Sequence, residues 1–550
     1  MKEPGGQLDT RIDTGRDTSI GTGIDTVSGT TRGTAARPRS FRPRLVTALV
    51  VAGCLVLAAC GGTTGIPQAD GTDGGGLPMP GAIHAVVPPK NSATDARSGP
   101  VKLTVSADHS SGVVASGGPN APYNYAPSVM TTGGVDYLWW CSQLPGAARP
   151  GDQILYATGT SQDGPFAAPG GAPGTEVFGN SPNGFDQLHT CDPSVVRVGG
   201  IYYLYYTGTS NTAGQANAIG LATSTDGVHW NRANGGAPIV VAADDNTTGN
   251  PYGAGQPSVV YVDGWFYLLF TDTTGKAADP NGAGQFVLRS ANPVFTSGVE
   301  ALGPDGFTPV ASTKTPRLRS VLAANTADWM WVDALNAFAI AADSSAGTTI
   351  TFWNGDFSAQ PYQPVTLPGP AQDGPGLVRT PTGHAPISTT DPCGQLSLDL
   401  IRATSDAAAP TNLTHYGTTV TGFNGCQTTA QAIDVLNGFA MPSPDRTVDV
   451  LANGKLIDFE RRSVALAVAT GMLDTQVPAL ADLPIQATID AGSAAVTTPG
   501  EPVGLEATNG ILCLVSGADT AQLNSSIVVP VTSATWDGYP GGCDLSALRP

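Results

Sequence analysis

CDPSVVRVGGIYYLYYTG, from Cys191 to Gly208, is the stretch from which the rest of the chain is interpreted. It opens with Asp-Pro-Ser ahead of a short apolar strand, turns at a Gly-Gly pair, and continues into an aromatic strand from Ile201 to Tyr206. β-Branched and aromatic residues on both sides of a glycine turn are typical of a buried hairpin. The stretch therefore predicts two antiparallel strands inside a β domain.

The same pattern occurs once on each side of this stretch. Upstream, a Pro-Ser-Val-Met strand begins at Pro127, and downstream a Pro-Ser-Val-Val strand begins at Pro257, each followed by a turn and an aromatic strand. The prolines are 66 and 64 residues apart, which is enough for a four-stranded antiparallel blade with loops. Two weaker copies, at residues 329–353 and 373–403, bring the predicted number of blades to five.

Composition supports an all-β chain. Of 550 residues, 70 are Gly, 45 are Pro and only 13% are charged, which suits many short strands joined by turns. The predicted fold class is an all-β, five-bladed β-propeller followed by a small mostly-β C-terminal domain. We expect a low-complexity extension and signal peptide at residues 1–59 and a flexible tether at 60–100. The propeller would then span residues 101–420, and an accessory domain residues 421–550. A strand at 101–107 is expected to close the propeller.

The N-terminal segment has features of export. Two arginines precede an apolar run, Leu45 to Ala59, that is too short to span a bilayer as a helix. Its end, Leu-Ala-Ala followed by Cys60, resembles a bacterial lipobox, which implies cleavage before Cys60 and a lipid on its thiol. An ordinary secretory signal is the alternative, and Cys54 also fits the pattern but leaves a short apolar run. The expected location is extracytoplasmic, with the protein lipid-anchored to the cell membrane.

Charge and cysteine content agree with export. A net charge of −18 disfavours binding to nucleic acid or to anionic lipid surfaces, so contact with the membrane is expected through the lipid anchor only. Six further cysteines, an even number, suggest disulfides, and of fifteen connectivities we expect sequential pairing. The pairs would be Cys141 with Cys191, Cys393 with Cys426, and Cys513 with Cys543. No cysteine spacing typical of a zinc site occurs, which disfavours metal binding by these thiols, and we predict no metal. We also predict that the protein has no cofactor and is a monomer.

Taken with IGLATSTDGVHW, which begins at Ile219, the Cys191 stretch resembles the five-bladed β-propeller glycosidases of the glycoside hydrolase family 43 clan. The clan includes xylosidases, arabinofuranosidases and arabinanases, and the resemblance covers roughly residues 120–420. It implies hydrolysis of glycosidic bonds by carboxylates at the mouth of the propeller. Those carboxylates are an Asp base, a Glu acid, and a second Asp that tunes and orients the acid.

The innermost strands begin at that mouth, so their first residues can be compared between blades. The compared positions are Ala126, Asp192, Gln256, Thr326 and Gly374. Only Asp192 carries a carboxylate, and the resemblance makes it a catalytic base or the orienting acid. The alternative is that an Asp before Pro merely turns the chain into the strand. The sequence leaves both interpretations open.

A partner carboxylate is harder to find. Between residues 101 and 420 the only glutamates are Glu176 and Glu300, both in apparent inter-strand loops. Asp328 and Asp373 lie within two residues of the compared positions and are candidates for the catalytic partner. Each could instead be a solvated surface residue. The missing Glu is a departure from the family pattern.

Several polar and aromatic residues near the strand starts are candidates for substrate binding. His189 precedes the second blade and could bind sugar or donate a proton, or could be an ordinary loop histidine. Tyr125 and Tyr252 could stack on sugar rings or fill blade interfaces, and Gln256 stands at a compared position.

Two function classes remain. The first is a cell-surface glycoside hydrolase, of the β-xylosidase or α-arabinofuranosidase type, acting on a pentose-containing polysaccharide of the arabinan or xylan type. The second is a non-catalytic propeller lipoprotein that lacks the acid Glu and binds glycan or protein. A second carboxylate close to Asp192 would favour the enzyme, and a mouth without one would favour the binding protein.

Overall fold

The structure, a computed structural model, describes residues 99–106, 110, 112–116, 124–144, 151–246, 248–344, 346–404, 412–546 and 548. The predicted signal segment with Cys60, and nearly all of the predicted tether, lie outside these described residues. Within them the protein is built mainly of β-strands. None of the helices in this part of the chain is long and apolar enough to cross a membrane.

Two short strands, β1 (Thr104–Val105) and β2 (Gly112–Ala115), precede five antiparallel repeats. The first repeat contains β3 (Tyr125–Thr132), β4 (Val135–Ser142), β5 (Gln153–Gly159) and β6 (Thr175–Phe178), and the second contains β7 (His189–Val198), β8 (Ile201–Thr209), β9 (Ala218–Ser224) and β10 (Asn231–Arg232). The third contains β11 (Ala254–Val262), β12 (Trp265–Asp272), β13 (Gln285–Ser290), β14 (Glu300–Gly303) and β15 (Gly306–Pro309). The fourth contains β16 (Asp328–Val332), β17 (Ala337–Ser344), β18 (Gly347–Asn354) and β19 (Val365–Leu367).

The fifth repeat combines one strand from the N-terminal side of the five repeats with three strands that follow the fourth repeat. It consists of β20 (Gln372–Arg379), β22 (Leu400–Ala403) and β23 (Leu413–Tyr416), with β2 as its outer strand. The expectation of a closing strand at 101–107 was wrong, because β1 instead forms a small separate sheet with β21 (Leu396–Ser397) and β24 (Thr419–Thr421). The strand from this N-terminal segment that joins the fifth repeat is β2, whose Gly112 pairs with His415. Short 3₁₀ turns lie at Asn234–Gly236 and Asp333–Leu335.

The predicted hairpin at Cys191–Gly208 is confirmed: β7 and β8 pair antiparallel, with Val196 opposite Tyr203. Its residues are apolar on both faces because each repeat packs between two neighbours. Tyr203 and Tyr205, for example, are fully buried among side chains of the third repeat. The first strand of each repeat lies beside that of the next, and β20 of the fifth pairs parallel with β3 of the first.

The recurring serine of the Pro-Ser-Val motif links neighbouring repeats. Ser128 Oγ accepts a hydrogen bond from the Val195 backbone N–H (3.0 Å), and Ser194 Oγ accepts one from Val259 (2.9 Å). Ser258 Oγ accepts one from the fourth repeat. At the corresponding place in the fourth repeat, Asp328 Oδ2 accepts the Leu377 N–H of the fifth at 2.7 Å. The motif therefore recurs because each copy joins its repeat to the next.

Arg379, at the end of β20, lies in the middle of these links. Its guanidinium forms an ion pair with Asp328 (3.2 Å) and donates to the Ser258 hydroxyl and to the Trp329 carbonyl. It also reaches the hydroxyls of Ser128 and Ser194, at 3.4 and 3.5 Å. Arg379 is 1% exposed and thus contacts four other repeats from a buried position.

We expect Arg379→Met to destabilise the protein by roughly 3–5 kcal/mol, because it leaves Asp328 buried without its countercharge. Urea denaturation at neutral pH would measure the loss. Arg462→Met, at an exposed position on a helix, is the matched control and should change the free energy of unfolding by less than about 0.5 kcal/mol. Equal stabilities for the two variants would contradict the role given to Arg379.

The three disulfides are the sequential pairs that were expected: Cys141–Cys191, Cys393–Cys426 and Cys513–Cys543. The first joins β4 of the first repeat to β7 of the second, with Cα atoms 5.2 Å apart. It therefore fixes the first repeat against the strand that carries Asp192.

The C-terminal region contains two units with the same topology. The first unit, preceded by α1 (Thr429–Leu436), contains β25 (Phe439–Pro442), β26 (Val448–Ala452), β27 (Lys455–Phe459), α2 (Arg462–Val468), β28 (Gly471–Met472), a 3₁₀ turn (Pro478–Leu480) and β29 (Ile485–Ile489). The second contains β30 (Ala495–Thr497), β31 (Val503–Glu506), β32 (Leu512–Val515), α3 (Ala518–Leu523), β33 (Val528–Pro530), α4 (Ser533–Trp536) and β34 (Cys543–Asp544). In each, a three-stranded meander is flanked by two parallel strands, and one apolar core serves both units.

Two buried carboxylates face each other within the first unit. Asp449 on β26 is directly opposite Asp458 on β27, and the two residues are 5% and 8% exposed. Burial and the neighbouring Asp458 carboxylate raise the pKa of Asp449 to about 6. A folded-state pKa above the unfolded value of about 4 means that this group favours folding at low pH and that its contribution is lost as pH rises through about 6.

Asp449→Asn should therefore stabilise the protein by roughly 1–3 kcal/mol at pH 8 and by little or nothing at pH 4. Urea denaturation of wild type and variant at both pH values would measure this difference. Asp482→Asn, at an exposed position, should leave the pH profile unchanged. A stabilisation by Asp449→Asn that does not depend on pH would disprove the titration.

Candidate functional site

The five positions compared in the sequence lie together in the structure. Ala126, Asp192, Gln256, Thr326 and Gly374 line a single cavity of about 30 Å³, where the innermost strands begin. We call this end of the five repeats the mouth. The cavity is small, since ligand pockets usually have volumes of about 300–1,000 Å³. Asp192 is the only one of the five with a carboxylate.

The local backbone explains why these residues line the cavity. Ala126, Asp192 and Gln256 each adopt a left-handed conformation, with φ of 44°, 50° and 50°, and the strand pairing shifts register immediately afterwards. Such a bulge bends the strand and redirects a side chain. Because Ala126 and Gln256 adopt the same conformation, the bulge does not require a carboxylate. Turning the chain into the strand therefore does not explain why residue 192 is an aspartate.

Asp192 is 8% exposed, and polar groups from the first, second and fifth repeats act on it together with Tyr252, which precedes the third. Burial raises its pKa to about 7, the charges of Asp373 and Asp152 add to the rise, and hydrogen bonds donated by Thr207 and Tyr252 oppose it. Gly255 allows this packing, because a Cβ there would lie 2.6 Å from the Tyr252 hydroxyl. The carboxyl is therefore held near the point where it can donate or accept a proton at neutral pH.

Asp152 is a site residue that the sequence analysis missed. It accepts a short hydrogen bond from the Tyr125 hydroxyl, and its Oδ2 lies 3.2 Å from His189 Nδ1. Burial lowers the pKa of His189, while the Asp152 carboxylate opposes that shift. Two of the predicted binding residues, Tyr125 and His189, are thus brought together by a carboxylate that immediately precedes the third strand of the first repeat. Tyr125 also lies 3.1 Å from Cys191 Sγ.

Asp373 is the third carboxylate of the mouth. It is exposed, and partial loss of hydration together with the charge of Asp152 raises its pKa. Its charge also contributes to the raised pKa values of Asp192 and Tyr252. Asp343, at the mouth end of β17, interacts electrostatically with Asp373 as well.

Asp328, the remaining catalytic candidate, is placed differently. It lines the same cavity, but Ser258, the Leu377 N–H and Arg379 bind both of its oxygens. Its burial raises its pKa, and Arg379 opposes this. It is neither a solvated surface residue nor free to transfer a proton, so we assign it a structural role. Gln256, a predicted binding residue, donates its backbone N–H to Thr207 Oγ1 at 2.7 Å.

The two glutamates of the repeats lie away from the mouth. Glu176 is exposed on the outer strand β6, and Glu300 forms an ion pair with Arg289 on the outer strands of the third repeat. Across residues 124–404, within the parts that the structure describes, any acid at the mouth must therefore be an aspartate.

One cluster meets the geometry for metal binding among the described residues: Cys141, Asp152 and Cys191. Both thiols are joined in a disulfide, which leaves the Asp152 carboxylate as the single available ligand. This cluster therefore does not form a metal site.

Tyr252→Phe should raise the pKa of Asp192 further above 7, because it removes a hydrogen bond that favours the ionised carboxylate. Infrared difference titration against Asp192→Asn would isolate the signal of this carboxyl. Tyr261→Phe, on the third repeat outside the polar cluster around Asp192, is the control and should leave the titration unchanged. A lower pKa in Tyr252→Phe would contradict the hydrogen bond.

No protein-family model matches this sequence. A probable arabinan endo-1,5-α-L-arabinosidase A from Aspergillus flavus is 32% identical over 121 residues, which is 22% of this chain and 35% of that protein. The chain thus spans about a third of the length of this relative.

Among solved structures, a family 117 glycoside hydrolase from Zobellia galactanivorans is similar, with 12% identity, a TM-score of 0.39, and coverage of 59% of this chain and 91% of the other. The catalytic domain of a GH62 α-L-arabinofuranosidase from Coprinopsis cinerea has 12% identity, a TM-score of 0.34, and coverage of 58% and 97%.

Proposed function

We propose that this protein is a glycoside hydrolase whose reaction is carried out by aspartates at the mouth. The observation that carries the proposal is that Asp152, Asp192 and Asp373, from three different repeats, interact electrostatically at one place. Acid and base hydrolysis of a glycosidic bond requires two carboxylates at one site, one of which keeps a proton to donate while the other activates water.

The surroundings suggest a role for each carboxylate. Asp192, buried and with a pKa of about 7, is the proton donor to the leaving oxygen. Asp373 is exposed at the mouth, where water enters, and is the carboxylate that activates the nucleophile. Asp152 holds Tyr125 and His189 in position, and its charge keeps the Asp192 proton in place at neutral pH.

The substrate that we propose is a pentose-containing polysaccharide of the arabinan type. The supporting observation is the local sequence similarity to a probable arabinan endo-1,5-α-L-arabinosidase. We also propose that the five repeats are the blades of a closed β-propeller. The lipobox-like segment supports display of the protein at the cell surface through Cys60.

A second candidate function is non-catalytic binding of a glycan or protein at the mouth. The observations in its favour are that the part of the chain described by the structure places no glutamate at the mouth, and that the cavity there has only about 30 Å³. Such a protein would keep the polar lining without turning over a substrate.

Hydrolysis by the full-length chain of aryl α-L-arabinofuranosides, aryl β-xylosides and arabinan tests the proposal. Asp192→Asn should lower kcat/KM by roughly 10²–10⁴-fold, because it removes a general acid. In wild type, kcat/KM should fall as pH rises above about 7, where Asp192 loses its proton. In the activity that remains, Asp373→Asn should remove the decrease in kcat/KM at acidic pH, because the carboxylate proposed to activate the nucleophile is no longer there to be protonated.

Asp305→Asn, on an exposed turn between β14 and β15, is the matched control and should retain full activity. Circular dichroism and thermal melting of each variant would establish that loss of activity is not loss of folding. If no substrate is cleaved while wild type and Asp192→Asn bind arabinan equally well, the catalytic proposal fails and the binding function replaces it.

A further inference from the structure

The turn that follows β20 joins four of the five repeats at the end opposite the mouth, which we call the far end. This turn, Thr380–His384, belongs to the fifth repeat, and three of its carbonyls accept backbone N–H groups of the second, third and fourth repeats. The hydrogen bonds run from Arg197 to Pro381 (2.7 Å), from Tyr261 to Thr382 (2.8 Å) and from Trp331 to Gly383 (3.2 Å). A change in the last residue of this turn therefore acts on several repeats at once.

That last residue, His384, has an acceptor at each of its ring nitrogens. Nδ1 lies 2.9 and 3.1 Å from the two carboxylate oxygens of Asp333, and Nε2 lies 2.9 Å from the Tyr261 carbonyl oxygen. A carbonyl oxygen only accepts hydrogen bonds, so Nε2 must carry a proton, and an ionised carboxylate requires the same of Nδ1. Both nitrogens donate only in the imidazolium form. The geometry at His384 therefore fits the charged ring.

Three carboxylates from three other elements surround this ring. Asp333 begins the 3₁₀ turn after β16, Asp263 lies in the β11–β12 turn, and Asp434 lies on α1. The charges of Asp333 and Asp263 act on His384, and Asp434 interacts with both of these aspartates. One imidazolium thus offsets part of the repulsion among the three acids.

The remaining charged group that packs against the turn is placed differently. The guanidinium of Arg197 lies 5.4 Å from the centre of the Tyr202 ring and stacks over it. Its contact with the turn is made by its backbone N–H. His384 is therefore the cation that balances the far-end carboxylates.

The pKa of His384 agrees with this geometry. Burial lowers that pKa, but the Asp333 carboxylate, the hydrogen bond to the Tyr261 carbonyl and the charge of Asp263 together raise it above its ordinary value of about 6.5. A folded-state pKa above the unfolded value means that the stabilisation is fully present below about pH 6.5. It is lost as pH rises through the folded-state pKa.

Helix α1 connects this charge balance to the C-terminal region. Its Ala432, Val435 and Leu436 are buried in a cluster that includes Ala334, the residue after Asp333. Asp434 lies on the same helix and is exposed. The Cys393–Cys426 disulfide links the chain just before α1 to the segment that follows the far-end turn. A change in charge at His384 can therefore loosen α1 without releasing the C-terminal region.

We propose that His384 is a pH-sensitive lock between the far end of the repeats and α1. As the imidazolium it holds the carboxylates of both together, and when it loses its proton the Nδ1 lone pair faces Asp333 and the three acids repel one another. Helix α1 and the far-end turn then open more often. The proposal concerns the fold and is independent of the hydrolase activity.

Hydrogen–deuterium exchange of the full-length chain at pH 6 and pH 9, corrected for intrinsic exchange rates, tests the proposal. In wild type, protection of α1 and of residues 380–384 should be roughly fivefold or more lower at pH 9 than at pH 6. His384→Gln cannot become charged and should show low protection at both pH values. His229→Gln is the matched control, because that side chain is 87% exposed, and should behave as wild type does.

Asp434→Asn provides a second test that leaves His384 in place. It removes one of the opposed carboxylates, so α1 should lose less protection at pH 9 than in wild type. Equal protection of wild-type α1 at the two pH values would overturn the proposal. So would an undiminished loss in His384→Gln or in Asp434→Asn, or a loss of the same size in β3–β5, which would indicate global unfolding.

Discussion

The buried ion pair between Arg379 and Asp328 is the interaction on which the arrangement of the five repeats depends. Arg379 ends the first strand of the fifth repeat and contacts the other four through Asp328 and three serine hydroxyls. A buried charge that loses its partner is strongly destabilising, so the strands are held to one geometry. Each serine also accepts a backbone N–H from the next repeat, which places the residue before each proline at the mouth.

The chemistry of the mouth follows from that placement. The first strands of the first, second, third and fifth repeats each have a left-handed residue at a bulge, and in the fifth that residue is Asp373, one of the two charges that act on Asp192. The other, Asp152, immediately precedes the third strand of the first repeat, and the Cys141–Cys191 disulfide holds that repeat against the strand of Asp192. Partial exclusion of water strengthens the interaction among these carboxylates, since electrostatic energy rises as the local dielectric falls. The pKa of Asp192 is therefore about 7.

Local patterns in the sequence predicted local structure well. The hairpin at Cys191–Gly208, the sequential disulfides and the shared position of five strand starts all rest on short-range spacing, and the structure shows each of them. Long-range partners were not predictable in this way. Asp152 precedes a strand that carries no part of the Pro-Ser-Val motif, and Arg379 lies in a weak copy of the repeat that carries no such motif. Strand β2, which joins the fifth repeat, is four residues long, too short to be recognised.

Among the described residues no glutamate lies at the mouth, and this places a geometric demand on the proposed reaction. An aspartate side chain is one methylene shorter than a glutamate, so its strand must approach the substrate more closely to deliver a proton. The left-handed residue and register shift at Asp192 redirect its side chain, which lines the cavity. The missing Cβ of Gly255 lets Tyr252 and Thr207 pack against Asp192. In the proposed reaction, backbone shape rather than side-chain length then sets the reach of Asp192.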